Sequence, residues 1–238
     1  MDAKQAMDTL TFYIRPQTFP VALRLCSSEA ELPEKVRLPA RDLGYQDAMC
    51  QGIGMARRYG WTLAMGRDDQ CCVGGVRTLG FLGESAGTPP EKMLDPGRFT
   101  HLLVAPLHSA AFEPHIVAMY VNSAQAMRLV QAAGRALGQS AAPGQGVSAI
   151  ASGFGDCGDV VARTFRTDEC QVVLPSGGDR IFGGTQDHEF IFTVPQSKVE
   201  GVLKGLEDTH ATGFRYPIVT DLRHRPALPP FLEIPKEG

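Results

Sequence analysis

The chain has 238 residues, 43% of them apolar and 21% charged. It is long enough to bury a core without disulfide staples and is composed like an ordinary globular protein. Its 23 Lys plus Arg against 26 Asp plus Glu give a formal net charge of −3, which argues against a general nucleic-acid binder, because phosphate affinity needs clustered positive charge. No run approaches the ~20 apolar residues that span a bilayer, and "MDAKQAMDTLTFYIRP" lacks a basic region followed by an apolar stretch. A cytoplasmic protein with reduced thiols is therefore expected, with no membrane or nucleic-acid partner.

Residues 2–14 read as an amphipathic helix stopped by Pro16, and "FPVALRLC", 19–26, as a buried strand. Residues 27–44 are charged and contain proline, which predicts a loop with a short helix. "YQDAMCQGIGMARRYG", 45–60, reads as a helix ended by Gly60. Gly52 and Gly54 inside it each cost about 1 kcal/mol, a cost that close packing or a ligand can justify. "WTLAM", 61–65, is a strand, and after the turn "GRDDQCC" a second short helix begins near Cys72. The turn formers of 87–98 mark a loop, followed by the strands "HLLVAPL" and "HIVAMYV". "SAQAMRLVQAAGRALG", 123–138, is a helix with Ser123 as its N-cap and Gly138 closing it. A loop, the strand "VSAIAS" and a helix starting in "DCGDVVARTF" follow. The strands "CQVVLP" and "HEFIFTVP" flank the loop "SGGDRIFGGTQD", and "PQSKVEGVLKGLEDT" is an amphipathic helix. The short basic run "RHRP", 223–226, and the proline-rich tail 225–238 read as solvated and extended. Strands that alternate irregularly with helices, sometimes back to back, predict a single α+β (mixed α/β) domain over 1–238.

An internal echo runs through this pattern. Ala48–Gly60 aligns with Ala126–Gly138, and each helix has an apolar strand before it, another after it, and then an acidic turn containing cysteine. Two pseudo-repeats, 19–86 and 101–168, follow from that alignment. A pseudo-twofold would bring the two Cys-turns, "RDDQCC" and "GFGDCGD", to face one pocket.

Six cysteines in a reduced compartment are thiols or metal ligands rather than a disulfide framework. Cys26 and Cys170 border apolar strands and read as small buried hydrophobes. Cys50 lies early in a helix, while Cys71, Cys72 and Cys157 lie in turns rich in Gly and Asp. These four are candidate soft ligands for an iron–sulfur cluster, zinc or copper(I), although their spacing matches no compact zinc or ferredoxin signature. A cysteine nucleophile is the other use of such thiols, with His101, His108, His115 and His188 as candidate bases. In "LPSGGDR", Ser176, Gly177, Gly178 and Asp179 offer backbone N–H groups to a small anion and Arg180 can clamp it, unless Asp179 and Arg180 pair for structure. The stretch is no P-loop, and "CQGIG" lies inside a helix, so neither is a nucleotide fingerprint. Arg57 shares a helix face with Cys50 and Gly54 and can line the same cavity.

The ordered set "MCQGIGMARRYG", "DDQCCVGGVRTLG", "LVAPLHSAAFEPHIVAMYVNSAQAMRLVQAA", "VVLPSGGDRIFGG" and "DHEFIFTVP" resembles the family catalogued as domain of unknown function 169, over about residues 10 to 220. That family occurs in archaea and bacteria, many of them anaerobes, and supplies no activity. The resemblance implies recurrent positions at Cys50, one of Cys71 and Cys72, Cys157 and the Leu-Pro-x-x-Gly-Asp-Arg loop. It also implies a cysteine after the Leu-Pro, where this chain has Ser176. The leading expectation is a redox-related protein holding an iron–sulfur cluster or other metal through Cys50, Cys71 or Cys72, and Cys157, with an anionic partner at Arg180 and the glycine loop. The alternatives are a metal-free small-molecule-binding protein or cysteine-dependent enzyme, and an interaction module whose cysteines are core. A homo-oligomer stays open.

Overall fold

The computed structural model describes residues 2–82, 93–136, 138 and 157–219. Six strands form one antiparallel sheet: β1 (Val21–Cys26), β2 (Leu63–Gly66), β3 (His101–Pro106), β4 (Ile116–Val121), β5 (Gln171–Val173) and β6 (Phe190–Pro195), in the order β2-β3-β1-β4-β6-β5. β3 and β4 are buried at every position, so these strands read as continuous apolar runs rather than as alternating ones. Helices cover both faces. The helices α2 (Met49–Tyr59), α3 (Val73–Thr78) and α5 (Cys157–Thr167) pack on the face that carries Leu23, Val104, Ala118 and Ile191. The opposite face, with Ala22, Val117, Met119 and Phe192, takes α1 (Ala3–Tyr13), α4 (Ser123–Ala136) and α7 (Val199–Ala211). A short helix, α6 (Gly177–Ile181), follows β5. The expected α+β fold is thus present, as a three-layer sandwich. Among the described residues no helix is long and apolar enough to cross a membrane.

Several local expectations change. The segment "SGGDRIFGGTQD" is not all loop: Ser176 caps α6, its Oγ accepting the Asp179 N–H at 3.2 Å while the Asp179 carboxylate accepts the Ser176 N–H at 3.0 Å. That reciprocal pair offsets the helix-breaking effect of Gly177 and Gly178. α4 is capped by Asn122 rather than Ser123, with Asn122 Oδ1 accepting from Gln125 N–H and Gln125 Oε1 accepting from Asn122 N–H. α2 starts at Met49, four residues later than its pattern suggests. Its two glycines serve close packing: a Cβ on Gly52 would stand 2.2 Å from Met65 Sδ, and one on Gly54 would stand 2.7 Å from the Gly183 carbonyl oxygen. The expected strand 147–152 and the tail 225–238 lie outside the described residues.

The sheet order is a palindrome about the β1–β4 seam. β1, β2 and β3 are arranged as β4, β5 and β6 are, and the registers agree. The first residue of β1, Val21, pairs with Pro106 at the end of β3, and the first residue of β4, Ile116, pairs with Pro195 at the end of β6. Leu63 opens β2 opposite Val104, two before that proline; Gln171 opens β5 opposite Thr193, two before its own. α2 and α5 are 11 residues each, and each is followed by a residue in the left-handed region, Gly60 (φ 75°) and Asp168 (φ 52°). The counterpart of α2 is therefore α5. The expected pairing of 19–86 with 101–168 matched α2 to α4, but α4 packs on the other face of the sheet. Shared Ala, Arg and Gly residues made two unrelated helices look alike.

Candidate metal centre

Three helix starts supply the site. Cys50 is the second residue of α2, Cys157 the first of α5, and Asp179 the third of α6. Because α2 and α5 are counterparts across the seam, their N-terminal ends meet there. Cys50 Sγ, Cys157 Sγ and an Asp179 carboxylate oxygen all lie within 4.8 Å of one another. The three residues are buried, with 7%, 5% and 1% of their surfaces exposed. Gly183 makes this approach possible, since a Cβ there would stand 2.9 Å from the Cys50 carbonyl oxygen and 2.7 Å from that of Asp179.

The thiols are electrostatically linked. A hydrogen bond from Cys157 holds the Cys50 thiol below the usual cysteine range, helped by backbone N–H groups at the start of α2, while burial and the nearby Asp179 charge push the other way. Cys50 Sγ also lies 3.6 Å from the Gly178 carbonyl oxygen, to which its thiol form can donate. Asp179 is oriented by Ser176, whose hydroxyl donates to Oδ2 at 2.8 Å. Beneath the thiols lies Tyr120 of β4. Burial pushes its phenol well up, and the charges at Cys157 and Asp179 add to that. The Arg57 guanidinium sits 3.9 Å from the centre of the Tyr120 ring. Arg57 also forms two bonds to Glu189, at 2.9 and 3.2 Å, and one to the Gly184 carbonyl at 3.0 Å. This arginine therefore locks the 183–189 segment against α2, and with it the turn that holds Asp179.

The model of the family described as domain of unknown function 169, uncharacterised ArCR, matches residues 9–97 and 87–205. The chain belongs to the DUF169 family. No curated protein and no solved structure matches it.

In this DUF169 member the residues singled out from sequence separate into groups. Cys50, Cys157 and Asp179 converge. Cys71 and Cys72 are exposed and lie outside that trio. Ser176 is a helix cap, and Gly177 and Gly178 are the first turn of α6 rather than an open anion loop. Arg180 donates to the Gln186 carbonyl and lies 3.6 Å from Asp187, so the expected anion clamp is engaged in its own segment. The Asp179 carboxylate accepts from the Ser176 N–H and hydroxyl through Oδ2 and lies beside the two thiols. Arg57 lies over the Tyr120 ring and is held through Glu189, a partner no sequence pattern announces. Cys26 is core and Cys170, half-buried, packs against the core, where burial pushes its thiol up to about 11. His115 accepts the Leu25 N–H through Nδ1, His108 stacks on Phe19, and no histidine among the described residues joins the trio.

The donor set of the DUF169 trio fits a thiophilic ion. Zinc with ligand distances of about 2.0–2.3 Å in a tetrahedron holds its donor atoms roughly 3.3–3.8 Å apart, so the group needs to tighten by about 1.5 Å at most to close around an ion. Two thiolates and a carboxylate make a three-ligand set, the kind that leaves a fourth position open. Clusters usually take four thiolates, and among the described residues two thiols meet here.

Proposed function

We propose that this protein is a metalloprotein that binds a single thiophilic ion through Cys50, Cys157 and Asp179 and presents its fourth coordination position to a small anionic ligand. The convergence of two buried thiols and a buried carboxylate carries the reading. A soft or borderline ion suits thiolate donors, and loading it requires both thiols to lose their protons, which the depressed Cys50 thiol favours. The aligned N-terminal ends of α2 and α5 favour negative charge at the same place, in thiolates and in an exogenous anion alike. The ion would serve as a Lewis acid or as a redox centre, according to the metal. A single ion agrees better with two converging thiols than an iron–sulfur cluster does. Protein purified without oxygen is expected to carry about one metal per chain and no acid-labile sulfide, and to lose the metal in Cys50→Ser and Cys157→Ser. Sulfide equimolar with iron supports the cluster instead, and metal-free protein under every loading condition refutes both.

The depressed Cys50 thiol also favours a second reading, a metal-free cysteine-dependent activity with Cys50 as nucleophile and Cys157 as its proton partner. In that case metal-free protein alkylates at Cys50 far faster than at exposed Cys71 and Cys72, and bound zinc does not change the rate.

A further inference from the structure

The trio is shut away from solvent, so an ion needs a route in. Two other thiols are not used by the proposed centre. Cys71 and Cys72 are adjacent and both exposed, so a soft ion in solution can reach them. Their segment is tied to both elements that carry the buried thiols. The Cys71 N–H donates to the Asp47 carbonyl at 3.1 Å, three residues before Cys50, and Asp47 and Gln70 form a parallel bridge. On the other side, α3, whose N-cap is Cys72, packs against α5, whose first residue is Cys157.

The palindrome of the fold gives this placement a meaning. α3 follows β2 as α6 follows β5, so Cys72 at the cap of α3 is the counterpart of Ser176 at the cap of α6. Their first helical bonds correspond, Val76 N–H to the Cys72 carbonyl and Arg180 N–H to the Ser176 carbonyl. The α6 wall brings a carboxylate to the buried thiols through Ser176 and Asp179. On the α3 wall, the counterpart of Asp179 is Gly75, which carries no side chain; its place is packed by Gln70 and Met49, with Gln70 Oε1 2.8 Å and Met49 Cβ 3.0 Å from where a Cβ on Gly75 would stand. The α3 wall thus keeps a thiol at its exposed rim and none inside.

We infer that Cys71 and Cys72 are the outer station of a two-station site: they capture a thiophilic ion from solution or from a small thiol carrier and pass it by ligand exchange to Cys50, Cys157 and Asp179. This rests on the metal reading above. In the exchange two metal–sulfur bonds to the outer thiolates break and two to Cys50 and Cys157 form. The inner thiols release two protons and the outer thiolates take up two, so no electron moves and no oxidant is needed.

The test compares wild type, Cys71→Ser/Cys72→Ser and Cys50→Ser/Cys157→Ser, each stripped of metal under reducing, oxygen-free conditions and then supplied with zinc from a chromogenic chelator. Wild type is expected to take one ion per chain. The outer double variant should reach the same stoichiometry and affinity at least tenfold more slowly, and the inner double variant should hold zinc only weakly. Single serine variants and thermal melts separate slow loading from poor folding, since serine at two exposed positions should leave the melt unchanged. Equal loading rates in wild type and the outer variant overturn the relay. A lower final stoichiometry or affinity in the outer variant overturns it too, by making Cys71 or Cys72 a resident ligand. Failure of wild type to bind any thiophilic ion removes the metal reading itself.

Discussion

Replacing Arg57 with methionine tests how the segment after α6 is held against α2. Arg57 and Glu189 have side chains 0% and 3% exposed, joined by two charged bonds, with the guanidinium over the Tyr120 ring. Methionine keeps much of the length and apolar stem but leaves the Glu189 charge buried without its main counter-ion. Breaking a buried pair from one side costs about 3–5 kcal/mol. At a urea slope of about 3 kcal/mol/M, the upper range for small proteins, that lowers the unfolding midpoint by roughly 1–1.7 M. The double variant Arg57→Met/Glu189→Leu removes both charges, so it should lose less than Arg57→Met alone, which is the mark of a coupled pair. The pH dependence has a definite sign. In wild type the bonds from Arg57 and from the Gln186 N–H outweigh burial and hold the Glu189 carboxyl below its ordinary value. Its contribution is therefore full above the unfolded value of about 4.3 and is lost as pH falls through the lower folded value. In Arg57→Met the deficit should instead shrink on acidification, because protonation relieves the stranded carboxylate. Urea titrations at pH 7 and pH 4 read both effects. A loss under 1 kcal/mol in Arg57→Met, or a double variant that loses the sum of the two singles, would refute this account.

Asp47 is fully buried with no hydrogen-bond partner on either carboxylate oxygen, and burial together with the Asp69 charge pushes it up to about 6. A carboxyl raised in the folded state costs stability as pH climbs from its unfolded value through 6, at most about 3 kcal/mol by pH 7. Asp47→Asn is expected to flatten that part of the stability–pH curve and to raise the melting temperature at pH 7.5 relative to wild type. Gly54→Ala drives a methyl against the Gly183 backbone and should cost about 1–3 kcal/mol. Because Gly183 touches Cys50 and Asp179, the same change should weaken zinc binding at least tenfold in a competition titration, whereas an alanine at exposed Gly177 should not.

The strands and most helices were legible because their signals are local: apolar runs bounded by turn formers, Gly60 at the end of α2, the amphipathic pattern of α7. α6 was also written locally, as Ser176-x-x-Asp179, but Gly177 and Gly178 argued louder for a loop. The meeting of Cys50 with Cys157 and Asp179 was not legible as geometry. It depends on two helices far apart in the chain starting at one end of the sheet seam, and no spacing rule encodes that. The palindromic strand order was not legible: the echo in the sequence joins α2 to α4, whereas the elements that correspond in the sheet share only a proline closing β3 and β6 and a left-handed residue after α2 and α5, which are too sparse to outweigh a run of alanines. Glu189, the partner of Arg57, had no signal beyond being an acidic residue beside a strand.

The seam between β1 and β4 also decides what an ion would join. Cys50 belongs to one half of the palindrome, Cys157 and Asp179 to the other, so neither half owns a complete ligand set. An ion in that place would act as a clasp across the middle of the molecule, and its affinity would rise and fall with how firmly the halves hold together. Loosening the seam strands alone, far from any thiol, would then be enough to let the ion go.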